Sequence, residues 1–279
     1  MAKKHYPVQR KFNVEQPGPA AADAVIQVPQ LLSQVNHRLY RQSRIYECSV
    51  QIDANVADAT TVDVYALADT WYLKGALKLA KAAWDASNAE EIAMNNGKVA
   101  RWNDFRVFHG LTLFGDTRAV QGRKGDLTQV AFTAGEFDLS LVEDQAGTAR
   151  TFTLGTDVAT SYDIFAEYDE QSGTNTDPTV PATGPYSGLL PNLSSSAAEA
   201  ISDRGNEPPY NATGYGNGIW VKVGTLHLAS GRQRLSTGFF PAPLGMIALQ
   251  GVGWLGNPDI TVDVKAGDYK GVMSYSMLE

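Results

Sequence analysis

The chain has 279 residues, 43% hydrophobic and 19% charged, a balance that describes a folded globular protein and excludes a disordered or fibrous one. Its single cysteine, Cys48, excludes an intramolecular disulfide framework and any multi-cysteine zinc or iron–sulfur site. The net charge of −7 divides unevenly, +5 over residues 1–46 and −12 over residues 47–279, so an acidic body carries a basic front end of the kind that contacts a polyanion from one side.

The N-terminus, Met1-Ala-Lys-Lys-His5, lacks the apolar run of about 7–15 residues that marks a secretory signal. No stretch approaches the roughly 18 apolar residues of a membrane helix, so a soluble protein made in a reducing compartment is expected. Residues 1–30, with Pro7, Pro17, Gly18, Pro19 and Pro29, read as an extended basic arm, and a shell domain over 31–279 follows.

From Arg44 the chain alternates, with Tyr46, Cys48, Val50 and Ile52 on one side of a half-buried strand. A second strand, Thr61 to Leu67, sets Val62, Val64 and Ala66 on one face. The period then changes to helical: Leu73, Leu77, Ala80 and Trp84 form one apolar stripe, with Asp69 or Thr70 able to cap its start. Ser87-Asn-Ala-Glu90 matches a capping box and predicts a second helix over Asn88 to Asp104, so a helical insertion is expected over about 70–104. Phe105 to Phe114, Leu127 to Thr133 and Glu136 to Val142 read as strands, and Asp144-Gln-Ala-Gly147 as a turn into Arg150 to Leu154. Tyr162, Ile164, Ala166 and Tyr168 mark another strand. Residues 169–218 are rich in Gly, Pro, Ser, Thr and Asn, which predicts a long functional surface loop. Strands resume at Ile219 to Val223, Leu226 to Leu228, Leu244 to Gln250, Ile260 to Lys265 and Val272 to Ser276. Many short strands with helices confined to one insertion predict a mainly β fold, a sandwich or double-sheet jelly roll.

No pattern points to catalysis. Gly251-Val-Gly-Trp-Leu-Gly256 fits the dinucleotide string, but Asn257-Pro258 leads into a strand where the phosphate-binding helix would have to start. His5, His37, His109 and His227 are dispersed without metal-ligand spacing, and Ser194 to Ser196 has no recognisable base. Asp169, Glu170, Asn175 and Asp177 miss the calcium-loop register. Asn192 and Asn211 open glycosylation triplets that, without a secretion signal, read as chance. Cys48 reads as a small buried hydrophobe. The expectation is a protein with no catalytic residues, no metal and no cofactor.

The basic residues are the remaining candidates. Lys3, Lys4, Arg10 and Lys11 lie in the arm, where flexible cations neutralise phosphates without reading sequence. Arg38, Arg41 and Arg44 recur every third residue; on a helical turn they form one face, and extended they alternate. Phosphate contact and an ordinary solvated surface are the two readings of these seven cations.

Asn36 to Tyr46, Asp63 to Leu67 leading into Trp71 to Glu91, and Ala100 to Arg106 resemble capsid proteins of small circular Rep-encoding single-stranded DNA viruses. Pro241-Ala-Pro-Leu-Gly245 and Val264 to Val272 are similar to the same group. The resemblance implies a single jelly roll, an eight-stranded two-sheet antiparallel sandwich with a helical insertion after the second strand and long loops. It also implies self-assembly into an icosahedral homo-oligomer on the order of 60 or more copies. Such a shell packages single-stranded DNA, meets a host surface receptor, inserts in no membrane, and belongs to the virion after synthesis in the host cytoplasm and assembly in the nucleus. These capsid proteins commonly carry a long arginine-rich arm; the shorter basic arm here leaves Arg38, Arg41 and Arg44 to contribute. A lectin-like β-sandwich that binds carbohydrate through the loop over 169–218 is the alternative.

Overall fold

The computed structural model describes residues 7–14, 23–109, 140–144, 146–155, 160–172, 219–251, 255 and 258–279. Its chain order begins β1 (Lys11–Val14), β2 (Asp23–Gln27), α1 (Val28–Asn36), β3 (Arg44–Val56), β4 (Thr60–Leu67) and α2 (Trp71–Met94). It continues through β5 (Phe108–His109), β6 (Leu141–Glu143), β7 (Ala149–Leu154), β8 (Ser161–Asp163) and α3 (Ile164–Ser172). The C-terminal part holds β9 (Trp220–Leu228), β10 (Gly231–Ser236), β11 (Phe240–Pro243), β12 (Met246–Gln250), β13 (Asp259–Val264), β14 (Ala266–Gly267), β15 (Gly271–Val272) and β16 (Ser274–Ser276).

The alternation at Tyr46, Cys48, Val50 and Ile52 produces the central strand of the larger sheet, and all four side chains are fully buried. Because β3 is 13 residues long, each of its edges holds two partners in succession. β10 and β11 pair along one edge; β13 and β16 pair along the other, and β1 extends the sheet beyond β13. A second sheet runs β2-β12-β4-β9. Side chains from both sheets meet in one core, with Val50, Ile52 and Val262 from the first against Val62, Val64, Ile247 and Leu249 from the second.

The second sheet is apolar on both faces. Within β12, Ile247 and Leu249 enter the core between the sheets, whereas Met246 and Ala248 turn the other way with Val25, Leu67 and Trp220. That outer face is covered by Leu73, Ala76, Leu77 and Ala80 of α2, by Phe165 of α3, and by Phe152 and Leu154 of the sheet built from β5, β6, β7 and β8. Burying both faces of one sheet requires a third layer.

The expected eight-stranded, two-sheet jelly roll is therefore corrected. The described residues form a mixed α and β architecture with sheets of six, four, four and two strands and three helices. Two strands, β1 and β2, lie within residues 1–30, the segment read as an extended arm; Phe12, Val14, Ala24 and Ile26 alternate into the core there. The second helix expected from Asn88 does not start: α2 runs unbroken to Met94, and Asn96 and Gly97, at φ 55° and 72°, end it. Ser87 sits inside a helix already formed, so its capping pattern has no helix start to cap. The strand expected through Tyr168 turns into α3 after Asp163, whose Oδ1 accepts the Phe165 and Gly155 amides. The two strands expected over 219–228 are one strand, β9, with a bulge opposite Val64/Tyr65.

Other local readings agree with the structure. Leu73, Leu77 and Ala80 are buried along α2, and the Leu73 amide donates to Thr70 Oγ1 at 3.1 Å, which makes Thr70 the cap. Thr70→Ala is expected to cost about 1 kcal/mol, seen as a lower urea midpoint with an unchanged slope. The Asp144 turn forms as read, with Oδ1 accepting the amides of Ala146 and Thr148 and with Gly147 at φ 77°. The strand predicted at Leu127 to Thr133 and residues 173–218 of the long loop lie outside the described residues.

Candidate anion-binding site

Segment 37–43 is neither a helical turn nor a strand, so neither spacing argument for Arg38, Arg41 and Arg44 applies directly. Its path is set by hydrogen bonds. α1 ends at His37 in the left-handed region, φ 48°, and the Arg38 amide donates back to the Ser33 carbonyl at 3.2 Å. Ser33 Oγ donates to the Pro29 carbonyl and accepts the Tyr40 amide at 2.9 Å. Gln42 exchanges two bonds with the Val107 backbone, and its amide donates to Asp104 Oδ2 at 3.2 Å. The Tyr46 hydroxyl donates to the Arg41 carbonyl at 2.6 Å. A chain pinned at this many points holds its arginine side chains on a fixed base.

The other side of the site comes from the hairpin β14–β15, more than 220 residues later. The Tyr40 hydroxyl donates to the Lys270 carbonyl at 2.9 Å, and the Arg41 amide donates to the Tyr269 hydroxyl at 3.3 Å. Arg44 bonds Ser274 through Nε at 2.8 Å and through Nη2 to its carbonyl at 3.0 Å, and its guanidinium carbon lies 3.9 Å from the Tyr269 ring centroid. Lys270 Nζ donates to the Leu39 carbonyl and stands 5.3 Å from the centroid of Tyr269 and 5.9 Å from that of Tyr40. Cations held over aromatic faces keep their charge in a partly desolvated place.

Four cations thus face one another. Burial, followed by the positive charges of Arg41, Arg38 and Arg44, holds the Lys270 ammonium below its ordinary value. Asp104, 4% exposed, brings an opposing charge, with Oδ1 3.8 Å from Arg41 Nη1. Burial pushes its carboxyl up, although Arg106, the Gln42 amide, Arg41 and Lys81 pull the other way. Burial likewise raises the hydroxyls of Tyr40, Tyr46 and Tyr269. The adjoining backbone adds Arg10 and Lys265 and, against them, Glu47 and Asp268, so this end of the larger sheet is positive. Such an arrangement suits a bound anion, which relieves the repulsion among the cations.

Lys270 gives a prediction of opposite signs for stability and binding. With its folded value lowered, the unfolded chain binds the proton more tightly, so stability rises with pH between that lowered value and the ordinary 10.5. Lys270→Met is expected to remove this slope and to stabilise the free protein at neutral pH by less than about 1 kcal/mol, since solvent screens a partly exposed group. The same substitution weakens anion binding. Thermal melts across pH with and without a short polyanion measure both.

Of the seven cations singled out in the sequence, Arg38, Arg41 and Arg44 come together. Arg10 is brought to the same end: its carbonyl accepts the Val264 amide, and Gln9 next to it exchanges two bonds with Asn36, just before Arg38. Lys11 is exposed on β1 opposite Asp263, and Lys3 and Lys4 lie outside the described residues. Lys270, Tyr269 and Asp104 were not singled out as site residues; their local strings carry turn and aromatic signals, but no spacing links position 41 to position 270.

Among the described residues the other candidates are not brought together, and His5 lies outside those residues. Cys48 is fully buried, and burial raises its thiol well above the ordinary value. His37 caps α1 and His227 lies on β9, far apart in chain order and on different elements. Among the described residues no group of three or more His, Cys, Asp or Glu side chains is placed to hold a metal ion, and no helix is long and apolar enough to cross a membrane. Asn175, Asp177, Asn192, Ser194 to Ser196 and Asn211 lie outside the described residues, as does most of the string Gly251 to Gly256. In comparisons with known proteins the chain matches no family model, no curated protein and no solved structure.

Proposed function

We propose that this chain is the coat subunit of a single-stranded DNA virus, a structural protein that associates into a closed symmetric shell and holds the nucleic acid against the basic end of its larger sheet. The observation that carries the reading is a convergence. Asn36 to Tyr46, Ala100 to Arg106, Pro241 to Gly245 and Val264 to Val272, four of the strings that resemble such coat proteins, are scattered along the sequence and meet around the start of β3, while Asp63 to Leu67 and Trp71 to Glu91 lie in β4 and α2. They supply Arg38, Arg41, Arg44, Lys270 and the buried carboxylate of Asp104. The reading rests on this site and on the charge division along the chain, not on the number of strands.

Self-association has its own support. Among the described residues Trp71 is 71% exposed, and Phe239 and Tyr275 are about half exposed. Aromatic residues are enriched where subunits meet, and identical subunits packed around rotational axes close a surface. Electron microscopy and size-exclusion chromatography of the purified protein, across salt and pH, test the assembly. Closed particles that retain nucleic acid are expected; a monomer under every condition overturns the reading.

A further inference from the structure

Asp104 is a buried carboxylate among cations, and it is held more firmly than the arginine it faces. Its carbonyl accepts the Ser140 hydroxyl at 3.1 Å, that hydroxyl accepts the Arg106 amide at 2.8 Å, and Asp104 Oδ2 accepts the Gln42 amide at 3.2 Å. Arg41 is placed differently. Its side chain is 53% exposed, and its Nη1 stands 3.8 Å from Asp104 Oδ1, an ion pair too long to be a hydrogen bond. The carboxylate is fixed and dry, whereas the guanidinium is free to turn toward an anion arriving from solvent.

A phosphate on Arg41 is a second negative charge drawing on the same cation. Of the two, only the buried one can relieve the repulsion by becoming neutral in mild acid. We propose that the anion site and Asp104 form a coupled pair: a bound phosphate takes Arg41 away from Asp104, and Asp104 Oδ1 takes a proton from solvent in its place. No covalent bond to carbon changes; Arg41 keeps its charge, Oδ2 keeps the Gln42 amide, and one proton enters per phosphate bound. By linkage, protonating Asp104 first strengthens phosphate binding by the same factor. This coupling rests on the anion site proposed above and adds its regulation.

The groups facing Asp104 are Arg41 from segment 37–43, Arg106 beside it, Lys81 of α2, Tyr46 of β3, and Tyr269 and Lys270 of the β14–β15 hairpin. Arginine stays charged, and lysine and tyrosine exchange protons in the alkaline range, so among these groups Asp104 is the one that changes charge in mild acid. Burial holds its carboxyl above the ordinary 3.8, against the pull of Arg106, the Gln42 amide, Arg41 and Lys81. Histidine is the other residue type that titrates there, and His37 ends α1 four residues before Arg41, so it needs its own control.

The test is fluorescence anisotropy of the full chain with oligothymidylate, whose bases and phosphodiesters do not titrate between about pH 4.5 and 7.5, at fixed salt across that interval. Relative to D104N, the native protein is expected to gain about tenfold in affinity from the neutral to the acid end. That is the effect of one unit charge roughly 7 Å away, one hydrogen bond beyond Arg41, in a partly screened site. D104N should bind at neutral pH as tightly as the native protein does in acid, D104E should restore the slope, and H37Q should keep it. Calorimetry in buffers of different ionisation enthalpy should show the native protein taking up protons as it binds, a readout that stands even where D104N fails to fold. Parallel profiles for the native protein and D104N, weaker binding by D104N at every pH, absence of proton uptake, or loss of the slope in H37Q each overturn the coupling and leave the anion site standing. A native protein that binds no oligothymidylate at any pH overturns both.

Discussion

Neutralising the four converged cations, in a variant carrying Arg38→Gln, Arg41→Gln, Arg44→Gln and Lys270→Gln, is expected to lower affinity for single-stranded DNA on the order of 100-fold at 50 mM salt. The salt dependence carries the sharper information. If each cation neutralises one phosphate, single-strand binding has a log–log slope of about −0.7 per contact, or about −2.8 for four. The native protein then loses roughly 50-fold in affinity between 50 and 200 mM salt, and the variant loses little. Glutamine keeps a donor for Ser274 where Arg44 bonds it, and a melting curve confirms that the variant folds. A control removes charge elsewhere: Arg232→Gln with Arg234→Gln acts on β10, beside residues 51–56 of β3 and roughly 30 Å along the strand from Arg44. Fluorescence anisotropy with an oligonucleotide of mixed sequence measures all three proteins. Equal loss in the control and in the cluster variant would mean that the effect is one of net charge, and the assignment of the site to Arg38, Arg41, Arg44 and Lys270 would fail.

The reason the sequence reveals Arg38, Arg41 and Arg44 but not Lys270 is physical. Periodicity reports whether a segment has one buried face, so the strand through Ile52, the strand through Val64 and the stripe from Leu73 to Ala80 are legible. It is blind where both faces are buried: Met246 to Leu249 reads as a plain apolar run, with no sign that alternate residues serve two different cores. It is also blind to short paired segments. Phe240 to Pro243 contains two prolines and still forms a strand, because four residues along one part of a β3 edge suffice. The additional sheets are built from β5 to β8 and from β14 and β15, strands of two to six residues, which is why a two-sheet sandwich is the natural but incorrect reading. At the site, Arg38, Arg41 and Arg44 show themselves by local recurrence. Lys270 belongs with them only because β16 and the Tyr40 hydroxyl bring the C-terminal hairpin to the start of β3, a pairing across 230 positions. The buried Asp104 is found by its contacts alone, since a lone carboxylate in a polar string has no pattern.

Gly245→Ala is expected to destabilise the protein by about 2–5 kcal/mol. Two costs add. Leu244 and Gly245 lie at φ 55° and 62°, consecutive left-handed residues in the turn from β11 to β12, and a side chain in that region costs roughly 1–2 kcal/mol. A Cβ at position 245 would also lie 2.4 Å from Pro29 Cδ and 3.2 Å from Tyr46 Cδ2, which forces a shift in a packed core and adds about 1–3 kcal/mol. Gly97→Ala separates the two: its φ is 72°, but nothing lies within 4 Å of the added methyl, so only the backbone cost applies. Urea unfolding of the two variants is expected to show the larger fall in midpoint for Gly245→Ala, and equal falls would refute the steric part of the argument. The consequence extends to binding. The Gly245 carbonyl accepts the Val28 amide at 2.9 Å, and Pro29 follows it at the start of α1, whose far end leads directly into Arg38. Displacing Pro29 tilts that helix against the Ser33–Tyr40 bond that fixes the arginine segment, so Gly245→Ala should weaken single-stranded DNA binding under conditions where the protein is still folded, although position 245 carries no charge.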